Sequence, residues 1–193
     1  MNSVQINLIY FGRIAESKNI DVAIKVLSVL KKNGYPAKLD LIGGYSDEYK
    51  NFLDSIKKGE GLSDEDVIFH GAQSLEYISA KLRKAHYFIF PSKEKKEGHS
   101  NSLTEAMAFG VVPIVSNAGF NESICGDKHL VVYEFTPQAF AQKVMDIEQA
   151  GEWEHFSHFV YKRVIERFTE IQARDELKKV LNYIGISHKE KVL

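Results

Sequence analysis

Near the start of the chain the sequence reads Ile6-Asn7-Leu8-Ile9-Tyr10-Phe11-Gly12-Arg13, a short apolar run that ends at a glycine. Such a run predicts a buried β-strand followed by a tight turn. Apolar residues then recur with the spacing of an amphipathic helix. They are Ile20, Ala23, Ile24, Leu27 and Leu30. Asn33-Gly34 and Pro36 predict the end of this helix. The first unit is therefore a strand followed by a helix.

The same unit recurs along the chain. The later predicted strands are Leu39–Ile42, Val67–Phe69, Tyr87–Phe90, Val112–Val115 and Leu130–Val132. The predicted helices between and after them are Asp47–Lys57, Leu75–Lys84, Ser102–Phe109, a short one near Asn121, and Gln138–Gln149 behind Pro137. Strands that alternate with helices predict a parallel sheet covered on both faces. We therefore expect an α/β fold, a Rossmann-like doubly wound parallel sheet of about six strands.

Composition limits the kind of protein this is. The 193 residues include 25 Lys+Arg against 26 Asp+Glu, a net charge of -1, and 44% are hydrophobic. This balance argues against a nucleic-acid partner. One cysteine, Cys125, excludes an internal disulfide framework. The sequence has no apolar run of the roughly 18 residues that a membrane span needs, and its start lacks the features of a signal peptide. We expect a cytoplasmic protein.

The C-terminal part predicts two further helices from about residue 152. Their apolar residues are Phe156, Phe159, Val160 and Val164, and then Leu177, Val180, Leu181 and Ile184. We expect one domain over residues 1–185, followed by a polar tail at 186–193. Trp153 and Phe156 are expected to lie partly exposed on the first of these helices.

Sheets of this kind bind ligands at the carboxyl ends of their strands, near the point where the strand order reverses. The loop after the first strand holds Gly12, Arg13 and Lys18. A glycine turn with two cations before a helix is typical of a diphosphate site, because amide groups, helix dipole and side chains all favour the anion. The alternative is that both cations are ordinary surface charges.

A second candidate segment reads Glu97-Gly98-His99-Ser100-Asn101-Ser102-Leu103-Thr104-Glu105 and connects a strand to a helix. The amide groups of Asn101–Leu103 are expected to be free to bind a phosphate. Two flanking carboxylates, Glu97 and Glu105, can accept hydrogen bonds from the hydroxyls of a sugar and a ribose. The alternative for Glu105 is structural, because Ser102-Leu103-Thr104-Glu105 fits a capping box.

The order of these motifs resembles that of a known family. The sequence contains Gly12-Arg13 with Lys18, Gly43-Gly44, His70-Gly71, Pro91-Ser92, Glu97-x7-Glu105, Ala106-Met107-Ala108-x-Gly110, Pro113 and Gly119 with Glu122. From about Ile6 to Phe168 it resembles the C-terminal domain of the group 1 (family 4) retaining glycosyltransferases. The resemblance implies the Rossmann-like, donor-binding C-terminal half of the two-domain GT-B fold.

The resemblance also implies roles for individual residues. Arg13 and Lys18 match the cations that bind the donor diphosphate and stabilise it as a leaving group. Glu97 matches the glutamate that contacts the transferred sugar, and Glu105 the one that binds the ribose. The implied catalytic residues are thus Arg13, Lys18 and Glu97. The resemblance also implies residues that contact the donor. They are Gly12, Gly98, His99, Ser100, Asn101, Ser102 and Leu103, with Gly71, Ala72 and Gln73 near the nucleotide base.

The implied activity is that of a hexosyltransferase which uses a nucleotide-diphosphate sugar and needs neither a metal nor another cofactor. The acceptor is implied to bind an N-terminal domain that this sequence lacks, so the chain alone is expected to be inactive. Any contact with the inner face of a membrane is expected only through that missing half. An excised domain, a natural fragment and a subunit of a split enzyme remain open. So do two different functions, a non-catalytic nucleotide-sugar binding module and a sugar-nucleotide epimerase of GT-B fold.

Four residues or motifs near these sites have competing interpretations. Glu94 competes with Glu97 for the first glutamate, but no glycine follows it. His99 stands where an aromatic residue is commoner in the family, and its alternative is a packed or exposed turn residue. Asp64-Glu65-Asp66 matches the metal-binding DxD motif of the other large glycosyltransferase fold. Its position before a strand instead favours a solvent-exposed segment that leads into that strand. Cys125 is predicted to be a passive thiol.

Overall fold

The computed structural model describes residues 5–93, 98–172, 174 and 179, and within these residues the chain forms one sheet of six strands. The strands are β1 (Ile6–Phe11), β2 (Ala37–Ile42), β3 (Val67–Gly71), β4 (Tyr87–Phe90), β5 (Val112–Ser116) and β6 (Val131–Val132). All described pairings are parallel, in the order β3-β2-β1-β4-β5-β6. The predicted doubly wound α/β fold is confirmed. The order reverses between β1 and β4.

Helices connect these strands as the sequence predicts. They are α1 (Ile20–Lys32), α2 (Asp47–Gly59), α3 (Leu75–Leu82), α4 (Asn101–Ala108), α5 (Asn121–Cys125), α6 (Pro137–Ala150) and α7 (Trp153–Arg167). The second predicted tail helix, with Leu177 and Ile184, lies outside the described residues, as does the polar tail. None of the helices in the described ranges combines the length and hydropathy that crossing a bilayer requires.

The core explains why the apolar spacing predicted the elements correctly. All five apolar residues predicted for the inner face of α1 are fully buried. Every residue of β4 is also buried, as expected for a strand covered on both faces. At the strand reversal the rings of Tyr10, Phe88 and Phe90 stack, with centroids 5.5 to 6.3 Å apart. This stack joins β1 to β4 directly below the loops that follow them.

Glycines end the three neighbouring strands β1, β2 and β3, and backbone hydrogen bonds join their turns. The amide of Gly12 donates to the carbonyl of Ile42 (2.9 Å), and the amide of Gly43 donates to that of Gly71 (2.8 Å). Gly43 has a φ of +152°, and a Cβ on it would lie 1.7 Å from the carbonyl oxygen of Gly12. The turns after β1 and β2 are therefore packed backbone to backbone.

Helix α7 returns along the sheet and covers part of it. The indole Nε1 of Trp153 donates to the carbonyl of His86 (3.1 Å), and Phe156 is buried. The expected exposure of Phe156 is wrong, because this side chain packs in the core, while Trp153 is half-buried. The large apolar side chains that α7 exposes are instead those of Tyr161 and Ile165.

Candidate functional site

The loops after β1 and β4 meet at the strand reversal and form the walls of a crevice. Asn19, in the left-handed conformation at the start of α1, donates from Nδ2 to the carbonyl of Pro91 (3.1 Å). A Cβ added to Gly12 would lie 4.0 Å from Oγ of Ser102, the second residue of α4. The glycine turn after β1 therefore lies beside the N-terminus of α4.

Both predicted cations lie on this crevice. Arg13 is exposed, and its guanidinium has no hydrogen-bond or ion-pair partner within the described part of the chain. Its backbone carbonyl accepts from the hydroxyl of Tyr10 (2.9 Å), which fixes the turn. Lys18 is half-buried, and its Nζ lies 5.8 Å from the centre of the Phe90 ring at the end of β4. The structure thus brings Gly12, Arg13 and Lys18 to one end of the sheet.

The N-terminus of α4 is capped by Ser100, whose Oγ accepts from the amide of Leu103 (3.4 Å). The Oγ of Ser102 lies 3.1 Å from that of Ser100. The predicted free amide of Leu103 is therefore wrong, and the Leu103 side chain is fully buried. Among the described residues the amides of Asn101 and Ser102 have no acceptor, as is usual for the first N–H groups of a helix.

Glu105 lies in the second turn of α4, not in the first. The structural alternative for Glu105, a capping box with Ser102, is contradicted, because Ser100 caps the helix and Ser102 is already helical. Glu105 is exposed, and its carboxylate has no hydrogen-bond or ion-pair partner among the described residues. Partial desolvation raises the pKa of this carboxyl above its ordinary value. Glu97, together with its competitor Glu94, lies outside the described residues.

His99 turns toward α7 rather than into the crevice. Its Nε2 lies 2.7 Å from Oγ1 of Thr104, and its ring meets that of Phe168 edge-on at 5.1 Å. His99 itself is exposed, and these contacts fit the alternative of a packed or exposed turn residue. Gly98, just before it, is exposed.

The turn at Gly71, Ala72 and Gln73 follows β3, two strands away from β1 in the sheet. With neighbouring strands about 4.8 Å apart, the axes of β3 and β1 are about 10 Å apart. Gly71 has a φ of +68°, and Nε2 of Gln73 donates to the carbonyl of His70 (2.6 Å). Ala72 and Gln73 are exposed. The structure therefore places this turn at the same edge of the sheet as the crevice, but not in it.

Beneath this turn lies a partly buried polar network, centred on Asp40, that the sequence did not predict. Oδ1 of Asp40, in the middle of β2, lies 2.5 Å from Nε2 of His70 and 3.0 Å from Nζ of Lys81. Nδ1 of His70 lies 2.8 Å from the hydroxyl of Tyr77. The one signal in the sequence was an aspartate inside the apolar run Leu39–Ile42. The network anchors the end of β3 to α3.

The remaining candidate motifs have structural explanations. The carboxylate of Asp64 pairs with Lys57, and that of Asp66 pairs with Lys31 and the amide of Ser63. The two aspartates of the DxD motif thus serve different lysines. Cys125 is fully buried, and burial raises the pKa of its thiol, which favours a passive role. No cluster of three metal-ligating side chains exists within the described ranges.

A cavity of 1180 Å³ lies beside the crevice, between the loop after β1 and helix α2. Arg13 forms part of its wall, opposite the aromatic side chains of Tyr45, Tyr49 and Phe52. Burial and the nearby Asp21 carboxylate raise the pKa of Tyr49 to about 12, so its hydroxyl stays protonated at neutral pH. Arg13 and Asn19, both after β1, border the crevice and also line this cavity.

Comparison with known proteins gives a family and a fold. The family model "Glycosyl transferases group 1" matches residues 2–163. "Protein CapJ" of Staphylococcus aureus is 31% identical over 130 residues, which are 67% of this chain and 32% of CapJ. A "putative colanic acid biosynthesis glycosyltransferase WcaL" of Salmonella typhimurium is 27% identical over 187 residues, 92% of this chain and 43% of WcaL. The chain thus spans less than half the length of these relatives.

Two solved structures show the same fold. The C-terminal domain of a group 1 glycosyl transferase, LpcC of Francisella tularensis, superimposes with a TM-score of 0.75 at 23% identity, over 86% of this chain and 87% of that domain. A glycosyltransferase of Rickettsia africae superimposes with a TM-score of 0.78 at 18% identity, over 97% of this chain and 49% of its own. The six-stranded sheet thus has the fold of a GT-B C-terminal domain.

Proposed function

Because the chain belongs to the group 1 glycosyl transferases, we propose that it binds the nucleotide-diphosphate sugar of a retaining transferase. The acceptor is held by an N-terminal domain, in the same protein or on a separate subunit, and the chain alone is inactive. We also propose a role in polysaccharide biosynthesis in the cytoplasm, and the relative named for colanic acid biosynthesis supports the polysaccharide part. The share of each relative that this chain spans, 32% and 43%, supports a second domain or subunit.

The observation that carries the proposal is the convergence of positive groups where the strand order reverses. Arg13 and Lys18 come from the loop after β1, and the free amides of Asn101 and Ser102 come from the start of α4. Amide donors at a helix N-terminus favour an anion, and an arginine adds charge-assisted hydrogen bonds to phosphate oxygens. A diphosphate provides two adjacent anionic groups for these two sides of the crevice.

The proposed chemistry is electrostatic. Breaking the bond between the sugar and the diphosphate leaves negative charge on the departing oxygen and positive charge on the anomeric carbon. Fixed cations stabilise the leaving group most when that charge has developed, which lowers the barrier. In this proposal Arg13 and Lys18 perform that role, Glu97 binds sugar hydroxyls, and Glu105 binds the ribose. The turn at Gly71–Gln73 lies near the base.

We expect the chain to bind a nucleoside diphosphate without a divalent metal, because its own cations and amides supply the positive potential. The measurement is titration calorimetry with UDP and with GDP, in Mg²⁺ and in EDTA. Equal affinity in both buffers is the expected result. Binding that disappears in EDTA would contradict the metal-free site, and an absence of binding under both conditions would contradict the proposed function itself.

We expect Glu105→Gln to weaken binding of UDP and of UDP-glucose alike, about tenfold, through loss of a charge-assisted hydrogen bond to the ribose. Because desolvation raises the pKa of Glu105, ionising this carboxyl costs more in the folded chain than in the unfolded chain. Removing the charge should therefore leave the melting temperature unchanged or slightly higher. Calorimetry and a thermal melt measure the two effects.

The matched variant is Glu97→Gln. It should lower the affinity for UDP-glucose but leave the affinity for UDP unchanged, because the proposed partner of Glu97 is the sugar. A loss of stability without a loss of affinity in Glu105→Gln would indicate a structural role for Glu105. If GDP is the nucleotide that binds, GDP and GDP-mannose replace the uridine pair.

A further inference from the structure

We propose that Arg163 of α7 is a positioning residue for the donor's sugar. It lies outside the crevice, but its contacts lead to both loops that follow β4 and β5. We name two described segments of these loops, residues 98–100 and 117–120, the sugar loops. The inference rests on the proposed function, since it assigns the sugar of the nucleotide sugar to one part of that site.

The sheet order indicates where the sugar lies. The turn proposed to lie near the base follows β3, and the protein groups proposed to bind the diphosphate follow β1 and β4. A donor that extends from the base through the diphosphate continues in the same direction across the sheet. The next strand in that direction is β5, so the sugar lies above the carboxyl ends of β4 and β5, between the sugar loops.

The first contact of Arg163 is with α5, the helix that begins directly after the second sugar loop. Its Nε donates to the carbonyl of Ile124 (2.7 Å), and its Nη2 donates to that of Ser123 (2.5 Å). These carbonyls lie at the C-terminal end of α5, where a cation is favoured. A Cβ on Gly126 would lie 2.2 Å from Cζ of Arg163, so this glycine leaves the space that the guanidinium occupies.

The second contact leads to the other sugar loop. The guanidinium carbon of Arg163 lies 5.9 Å from the centre of the Phe168 ring, and that ring meets His99 edge-on at 5.1 Å. His99 is in turn hydrogen-bonded to Thr104 of α4 (2.7 Å). Arg163 therefore contacts α5, which follows the second sugar loop, and reaches His99 of the first sugar loop through Phe168.

Strands β4 and β5, which lie below the sugar loops, are joined by hydrogen bonds of their own. The sheet can therefore stay folded when the loops change. The hydroxyl of Ser116 at the end of β5 donates to the carbonyl of Ser92, and Nδ2 of Asn121 donates to the carbonyl of Ser116 (3.2 Å). These bonds do not involve α7. Loss of Arg163 is therefore expected to loosen the loops without separating β4 from β5.

The experiment compares Arg163→Met, which keeps the aliphatic stem, with Arg163→Lys, which keeps one donor for the α5 carbonyls. Lys162→Met is the control, because Lys162 is exposed on the same helix. We expect Arg163→Met to lower the affinity for UDP-glucose about tenfold, which is the effect of losing one hydrogen bond to the sugar. The affinity for UDP should stay within about twofold, and Arg163→Lys should restore part of the loss.

Hydrogen exchange of the chain without nucleotide provides a readout that does not depend on the proposed function. Faster exchange in peptides covering 98–105 and 117–126 of Arg163→Met, but not of Lys162→Met, supports the positioning role. Equal losses of affinity for UDP and for UDP-glucose would overturn the positioning role, since they indicate general destabilisation. Unchanged exchange in both peptides would overturn it as well. If the unaltered chain binds no nucleotide, the proposed function fails, while exchange still decides whether Arg163 holds the loops.

Discussion

Replacing Gly43 with alanine is expected to destabilise the chain by about 3 kcal/mol or more, a large part of the stability of an ordinary domain. The added Cβ would lie 1.7 Å from the carbonyl oxygen of Gly12 and 2.8 Å from its carbonyl carbon. Both atoms belong to backbone that is itself hydrogen-bonded to Ile42, so neither can move cheaply. The φ of +152° adds strain of its own for any residue with a side chain.

The measurement is a thermal melt, in which we expect a midpoint on the order of 10 °C lower for a domain of this size. Gly44→Ala is the control, because a Cβ on Gly44 meets no atom within 4 Å and its φ is ordinary. Nucleotide affinity should fall with Gly43→Ala even where the chain remains folded, since the turn that carries Arg13 must shift. Equal melting points for the two variants would show that these loops do not pack as described.

Replacing Arg13 with alanine is expected to weaken nucleoside diphosphate binding about 10- to 100-fold, because a charge-assisted hydrogen bond to phosphate is lost. The guanidinium is exposed and has no partner among the described residues, so folding does not depend on it. The melting temperature without nucleotide should therefore change by roughly 2 °C at most. Titration calorimetry with UDP and GDP measures the affinity, and Lys18→Ala is expected to act in the same direction.

The control is Lys58→Ala, which removes an exposed cation from the far end of α2 and should leave binding unchanged. Raising the salt concentration should weaken binding of the unaltered chain more than that of Arg13→Ala, since one screened attraction is already gone. If Arg13→Ala binds normally, Arg13 is an ordinary surface charge and the diphosphate site lies elsewhere.

The sequence was sufficient for the sheet because burial on both faces leaves a strong local pattern. The observed strand Ile6–Phe11 has the predicted bounds, and the inner face of α1 is the predicted one. The position of Gly12 and Arg13 could also be predicted, because both directly follow a strand that the apolar pattern indicates. Strand order then brought residues from distant loops together.

Two kinds of feature could not be read from the sequence. Ser100 and Ser102 are both good helix caps, and their spacing does not decide which one the chain uses, so the alternative of a capping box at Ser102 and Glu105 could be settled only by the structure. Contacts between distant side chains and backbone leave no spacing pattern either. Arg163 meets the carbonyl of Ile124 across 39 residues, and Asp40 meets His70 across 30.

The paired glycine turns after β1 and β2 also bear on the entropy of binding. Gly12 and Gly43 are held by backbone hydrogen bonds of the chain itself, at 2.9 and 2.8 Å, rather than by contacts that a ligand must supply. Fixing a backbone residue costs about 1–2 kcal/mol of conformational entropy, and here that cost falls on folding instead of on association. The arginine side of the crevice is thus preorganised, so a bound diphosphate needs to order side chains but not the main chain that presents them.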